Sequence, residues 1–261
     1  MNRDELYRYT MDRVPEWARN PLLVGLRGSD AHGTKLPDGH ENSTDDVDIF
    51  VVVRQDLDYY LSLDGYTKKR EHWDSAGEDV DILVYDVRKF IYLLAGANPN
   101  TVSWLWNRDE DYLLVGYLGQ RLINHRYHFL TKSLLKKLFG YAMGQRERML
   151  KQNKYQGYMG EKRKLLVDKY GFDVKFAQHT LRLLYTGHEI MRFETAHSYR
   201  PELEREILMA VKRGEYPFET VMAWIDKAIE KFRRLEENVG LPAEVDREVV
   251  NQLLVRTMKG E

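Results

Sequence analysis

The chain has no cysteine among its 261 residues. Disulfides and thiolate metal sites are therefore excluded, and the composition suits a reducing compartment, so a cytoplasmic location is expected. No apolar run approaches the ~20 residues needed to span a bilayer, and no membrane partner is expected. The opening Met1-Asn2-Arg3-Asp4-Glu5 is charged and lacks the apolar stretch of a secretory signal. No Gly-Lys-Ser or Gly-Lys-Thr loop is present, which argues against an ordinary P-loop ATPase. The histidines show no zinc-ligand spacing. Internal repeats and low-complexity tracts are missing as well.

What remains is an ordinary globular composition, 43% hydrophobic and 31% charged, long enough for one large domain or two modest ones. The net charge of −1 hides a division. Residues 1–125 carry a balance of −8, residues 126–200 one of +10, and residues 201–261 one of −3. An acidic half suits a cation, and the basic stretch beside it suits a polyanion.

The densest chemistry lies between residues 22 and 84. Leu22-Leu23-Val24-Gly25-Leu26 leads into Arg27-Gly28-Ser29. Asp46-Val47-Asp48 leads into Ile49-Phe50-Val51-Val52-Val53, and Asp79-Val80-Asp81 into Ile82-Leu83-Val84. Side chains on a strand alternate faces, so Asp46 and Asp48 share a side, and a neighbouring strand can add Asp81. Three converging carboxylates repel one another unless a cation sits among them. Hard oxygen ligands of this kind suit Mg²⁺, or Mn²⁺ in its place. The Gly28-Ser29 turn offers backbone N–H groups and a hydroxyl to a phosphate. An isolated Asp-x-Asp is usually a solvated pair of acids; its conjunction with the turn and with Asp81 points to metal-dependent nucleoside triphosphate chemistry.

The pattern predicts a helix over 3–13, strands over 21–27, 47–53 and 79–85, a short helix over 55–63 and an extra strand over 67–73. Asp86 caps a helix over 86–95, and Asn98 caps another with Pro99 at its first position. Trp104 and Trp106 are expected to be core or interface aromatics. From about residue 130 the pattern is helical throughout, with helices over 130–151, 158–169, 173–186, 201–212, 217–238 and 243–258.

A second constellation follows Asp173, the cap of the third of these. Lys175, His179 and Arg182 fall at spacings of four and three and share one helix face, while Phe176, Leu183 and Leu184 seek the core. Such a stripe suits a triphosphate or an RNA backbone. Lys162-Arg163-Lys164 are candidate RNA contacts. Arg146, Arg148, Lys151 and Lys154 form a further basic group beside Tyr155 and Tyr158, where aromatics can stack on bases. His32 lies in the Gly-Ser turn and is expected to shape it.

The run Gly28-Ser29-Asp30-Ala31-His32-Gly33, the pair Asp46 and Asp48 and the later Asp81 resemble the DNA polymerase β nucleotidyltransferase superfamily. The closer resemblance is to its bacterial and phage branch of predicted nucleotidyltransferases associated with RNA repair. It covers roughly residues 20–190 and includes Asn98-Pro99-Asn100 and the segment from Asp173 to Gly187. A basic residue that the branch often carries after the Gly-Ser is here Asp30.

The resemblance implies an α+β fold: a catalytic domain over 1–128, with a short mixed sheet and flanking helices, followed by an all-helical nucleotide- and RNA-binding domain over 129–261. It implies Asp46, Asp48 and Asp81 as catalytic metal ligands, Asp81 beside the attacking hydroxyl, and Gly28 and Ser29 at the phosphates. A similar His and Arg in the branch strengthen His179 and Arg182 as nucleotide-binding residues beside Lys175. The expected reaction moves a nucleoside monophosphate from an NTP to a hydroxyl, foremost an RNA 3′ end, and releases pyrophosphate. A protein hydroxyl, a small-molecule acceptor of the toxin–antitoxin or resistance type, and a non-catalytic binding module are the alternatives. Oligomeric state is open.

Overall fold

A computed structural model describes the chain except for residues 38, 41, 44–45, 68–69, 76–79 and 152–160 and the side chains of Tyr66, Glu161, Lys162 and Arg163. The β-branched runs form β1 (Pro21–Leu26), β2 (Val47–Val53) and β4 (Val80–Asp86). Two shorter strands, β3 (His72–Ser75) and β5 (Tyr112–Val115), lie at the edges. The described strands make one mixed sheet in the order β3-β4-β2-β1-β5. Only β2 and β4 run parallel, and their register sets Asp48 directly beside Asp81.

Alternation along β2 separates two cores. Ile49, Val51 and Val53 face Val14 and Ala18, under the N-terminal helix α1 (Arg3–Arg13). Phe50 and Val52 face the opposite way, into a larger cluster that continues through the helical half of the chain. Asp48 shares the face of Phe50 and Val52, so parity turns it toward the helices. The turn helix α2 (Gly28–His32) follows β1, and the short helices α3 (Leu57–Leu61) and α4 (Leu63–Thr67) follow β2.

After β4, Asp86 caps α5 (Val87–Ala95) by accepting from Arg88 N–H at 2.9 Å. Asn98 caps α6 (Pro99–Trp104) by accepting from Asn100 N–H at 3.0 Å. Then come α7 (Tyr117–Asn124), α8 (Lys132–Leu150), α9 (Glu161–Tyr170), α10 (Val174–Phe193), α11 (Glu202–Lys212), α12 (Phe218–Glu236) and α13 (Arg247–Lys259). α10 is the hub of the helical half and packs against α8, α11 and α12. No helix among the described residues is long and apolar enough to cross a membrane.

Several expectations shift. The extra strand lies at 72–75 rather than 67–73, because residues 63–67 coil into α4 and pairing with β4 starts only at His72. α10 runs on to Phe193, past the expected end at 186. The chain between 112 and 124 carries β5 and α7, for which the sequence pattern predicts nothing. Gly119 is required in α7: a Cβ there would meet the Leu22 carbonyl oxygen at 2.1 Å. Trp104 and Trp106 are both buried, and Trp104 stacks on Phe50 at 4.5 Å between ring centroids.

Candidate active site

A cavity of about 270 Å³ opens between the sheet and the helical half. The α2 turn supplies Gly28, Ser29 and His32; the strands supply Asp48, Leu83 and Tyr85. α10 supplies Lys175, Gln178, His179 and Arg182. Gly28, Ser29 and Asp48 of the first constellation and Lys175, His179 and Arg182 of the second therefore line one space, while Asp46 and Asp81 do not line it.

Gly28 has φ +66°, and a Cβ on it would lie 2.1 Å from Asp48 Oδ2. A glycine lets the turn and the carboxylate approach this closely and adopt the left-handed conformation without strain. Arg27 spans the same junction. Its backbone N–H donates to the Asp48 carbonyl at 2.9 Å, its Nε to the Ile49 carbonyl at 3.2 Å, and a terminal nitrogen lies 2.9 Å from Asp48 Oδ1. Burial raises the Asp48 carboxyl above the ordinary range; Asp81 and Asp30 add to the rise, while Arg27 and Lys175 oppose it.

Asp81 is partly buried at the register position beside Asp48. Asp46 is exposed, one residue ahead of β2, and does not line the cavity. Among the described residues no three His, Asp or Glu side chains are gathered closely enough to hold one ion. The donor set nevertheless fits a hard divalent cation. Asp48 and Asp81 offer carboxylate oxygens side by side, Asp46 lies two residues upstream, and a cation would oppose both the burial and the neighbouring negative charge that raise Asp48.

Among the described residues the opposite wall carries no negative charge. Arg182 is buried, 9% exposed, and forms no ion pair with a carboxylate among the described residues. Its Nε is buried without a hydrogen-bond partner among the described residues, and so is the Ser29 hydroxyl. Burial lowers the guanidinium pKa to about 10, with Arg200 adding to the fall and Tyr141 opposing it, so it stays charged at neutral pH. A buried cation without a counter-ion is costly, and an anionic ligand is the partner that would relieve it.

The chain matches the model of the RNA repair pathway DNA polymerase beta family (RlaP) over residues 18–256. It belongs to this family. The family is one of nucleotidyltransferases, and this RlaP-family chain is accordingly an enzyme of that class. No curated protein matches it. Among solved structures, a nucleotidyltransferase-like protein from Exiguobacterium sibiricum is similar at 15% identity, over 90% of this chain and 75% of that chain, with a TM-score of 0.31.

The RlaP-family cavity also holds residues that the sequence pattern does not single out. Lys212, the last residue of α11, is buried and lines the cavity, with Nζ donating to the Thr34 carbonyl at 2.8 Å. Tyr141 of α8 and Asn98, Thr101 and Ser103 around α6 complete the wall. Only the Asn98-Pro99-Asn100 resemblance pointed this way.

None of the other basic candidates among the described residues lines this cavity. The side chains of Lys162 and Arg163, and residues Lys154, Tyr155 and Tyr158, lie outside the described residues; Lys164 is partly buried on α9. Arg146 pairs with Asp226 of α12 at 3.2 Å, and Lys151 with Glu147 one turn earlier, so both are spent at least partly within the protein.

Proposed function

We propose that this chain transfers a nucleoside monophosphate from an NTP to the 3′ hydroxyl of an RNA and releases pyrophosphate. The observation that carries this is the pairing of opposites across one cavity. Asp48, with Asp81 beside it in register, lines one side, and a buried guanidinium, Arg182, with no carboxylate partner among the described residues, lines the other. A triphosphate is the ligand that answers both walls.

In this reading Asp48, Asp81 and Asp46 hold Mg²⁺ or Mn²⁺, which when bound neutralises charge on the reacting phosphate and activates the attacking hydroxyl. The protein's own work is positioning. Ser29 Oγ and the N–H groups of the turn donate to phosphate oxygens. Arg182, Lys175 and His179 bind the polyphosphate from α10, and Lys212 adds a cation from α11. Arg27 keeps Asp48 ionised and aimed. Asp81 accepts the proton of the attacking hydroxyl, which then displaces pyrophosphate.

An RNA acceptor is supported by the +10 balance of residues 126–200 and by the RNA repair description of the family. Residues 1–128 are read as the catalytic domain and 129–261 as the helical domain that binds nucleotide and RNA, with Lys162, Arg163 and Lys164 as contacts to the RNA backbone.

The test is incubation with each α-labelled NTP, pooled tRNA and Mg²⁺ or Mn²⁺, with Asp48→Asn in parallel. Label entering RNA only with the unaltered protein supports the reading and identifies the base. Label entering protein would replace RNA by a protein hydroxyl as acceptor. Full activity of Asp48→Asn would overturn the site.

A further inference from the structure

His32 ends α2 and lines the cavity. One side of its ring is fixed. Nδ1 lies 3.1 Å from the Ser198 carbonyl oxygen, which only accepts, so Nδ1 carries the hydrogen. Ser198 is itself held in place. Its N–H donates to the Trp106 carbonyl at 3.1 Å and its hydroxyl to the Ser103 carbonyl at 2.6 Å. The Arg200 N–H closes the strap on the His32 carbonyl at 3.3 Å. Nε2 is left with its lone pair and makes no hydrogen bond among the described residues.

The charges around this ring are mostly positive. Arg182 and His179 face it from α10, and Arg200 from the segment after α10. Lys175 and Lys212 line the same cavity. On its own side, Asp30 pairs with Lys35 at 3.4 Å, and Arg200 is matched by Glu189 and Glu204. Burial, then Arg182, hold the imidazole well below its ordinary pKa, so the ring is neutral. A bare acceptor thus sits among donors. Against a phosphate oxygen it would set lone pair to lone pair.

A triphosphate brings several negative charges into this space and reverses the field that keeps the ring neutral. We propose that His32 takes up a proton at Nε2 when a nucleoside triphosphate enters the cavity, and donates the resulting N–H to a phosphate oxygen. The inference rests on reading the cavity as the triphosphate site. It makes His32 a polyphosphate sensor. A monophosphate carries less charge and drives less uptake, and triphosphate affinity falls as pH rises.

The test is calorimetry of the full chain with a non-hydrolysable triphosphate analogue and Mg²⁺, in buffers of different ionisation enthalpy near pH 7.5. The unaltered protein, His32→Asn and His179→Asn are compared. Asn keeps an N–H for the Ser198 carbonyl but has no basic nitrogen. The unaltered protein is expected to take up about half a proton or more per nucleotide. His32→Asn should take up none; His179→Asn, which loses a polyphosphate contact, should bind more weakly yet keep the uptake per bound nucleotide. Tight binding without uptake, or uptake surviving in His32→Asn, overturns the proposal. Failure of the unaltered protein to bind the analogue instead overturns the triphosphate reading, and this inference with it. Should His32→Asn misfold, ring NMR signals of the unaltered protein decide. They should move from neutral to imidazolium on nucleotide addition, and a ring that stays neutral refutes the uptake.

Discussion

Asn42 and Tyr170 hold each other across 128 positions of sequence. The Asn42 amide donates to the Tyr170 hydroxyl at 2.8 Å and to the Arg213 carbonyl at 3.0 Å, from a side chain only 2% exposed. Four residues beyond Asn42 lies Asp46. Asn42 is thus pinned to the ends of α9 and α11, and the Lys212–Thr34 bond fastens Thr34 to α11.

Loosening the pin should cost stability and disturb Asp46. Asn42→Ala leaves the Tyr170 hydroxyl without the amide and the Arg213 carbonyl without a donor, a loss of about 1–3 kcal/mol. Tyr170→Phe removes a single hydroxyl and should cost about 1 kcal/mol. Both should raise the Mn²⁺ concentration needed for half-maximal transfer. Urea unfolding and a Mn²⁺ titration followed by EPR give the two readouts. An unchanged Mn²⁺ affinity in Asn42→Ala would separate the pin from Asp46.

Gly28→Ala tests the turn. The left-handed conformation costs a side-chain-bearing residue roughly 1–2 kcal/mol, and the added Cβ collides with Asp48 Oδ2. Asp48 must then leave its place beside Arg27 and Asp81. Transfer should be nearly abolished while the circular dichroism spectrum stays that of a folded protein. Ser29→Ala adds no clash and loses only a hydroxyl donor, so it should weaken nucleotide binding and leave stability intact. Equal activity of Gly28→Ala and the unaltered chain would mean that this approach does not matter to catalysis.

Arg182 pits binding against stability. Its charge is buried without an ion-pair partner among the described residues, so the folded protein bears the cost. Arg182→Met keeps much of the length and removes the charge. The variant should unfold at the same temperature as the parent or above it. Its Kd for a triphosphate should rise by about 2 kcal/mol, roughly thirtyfold, the loss of a charged hydrogen bond. A thermal melt and a binding isotherm on one preparation decide. A lower melting temperature with unchanged Kd would recast Arg182 as a structural residue.

Much of this arrangement is readable from local chemistry. The β-branched runs of β1, β2 and β4 follow from period and composition, and the caps Asp86, Asn98 and Asp173 mark their helices. Lys175, His179 and Arg182 share a face at helical spacing, which is the face that lines the cavity. What escapes is tertiary. β5 has four residues behind an acidic turn and becomes a strand only because β1 offers it a free edge. α7 carries Gly119 in its first turn, a weak helix former whose reason is the Leu22 carbonyl pressed against it. Lys212 closes an amphipathic helix, where a lysine reads as solvent-facing until α11 is packed against the segment after α2. His32 reads as a turn residue because its bond to Ser198 spans 166 positions.

His188 gives the helical half an acid-sensitive joint. Its Nε2–H donates to the Ala228 carbonyl at 2.9 Å and ties α10 to α12. Burial holds the imidazole neutral and lowers its pKa to about 4; Lys231 and Arg192 push the same way and the Ala228 bond opposes them. In the unfolded chain a histidine titrates near 6.5. Between these values the unfolded state binds a proton that the folded state refuses, so stability falls as pH falls. The contribution is whole above about pH 6.5 and is lost progressively down to about 4. By pH 5 it amounts to about 2 kcal/mol. His188→Gln keeps an N–H donor and cannot take the proton. Its unfolding free energy should therefore drop by about 2 kcal/mol less than the parent's between pH 7 and 5. Parallel pH profiles for the two proteins would show that His188 is protonated alike in both states.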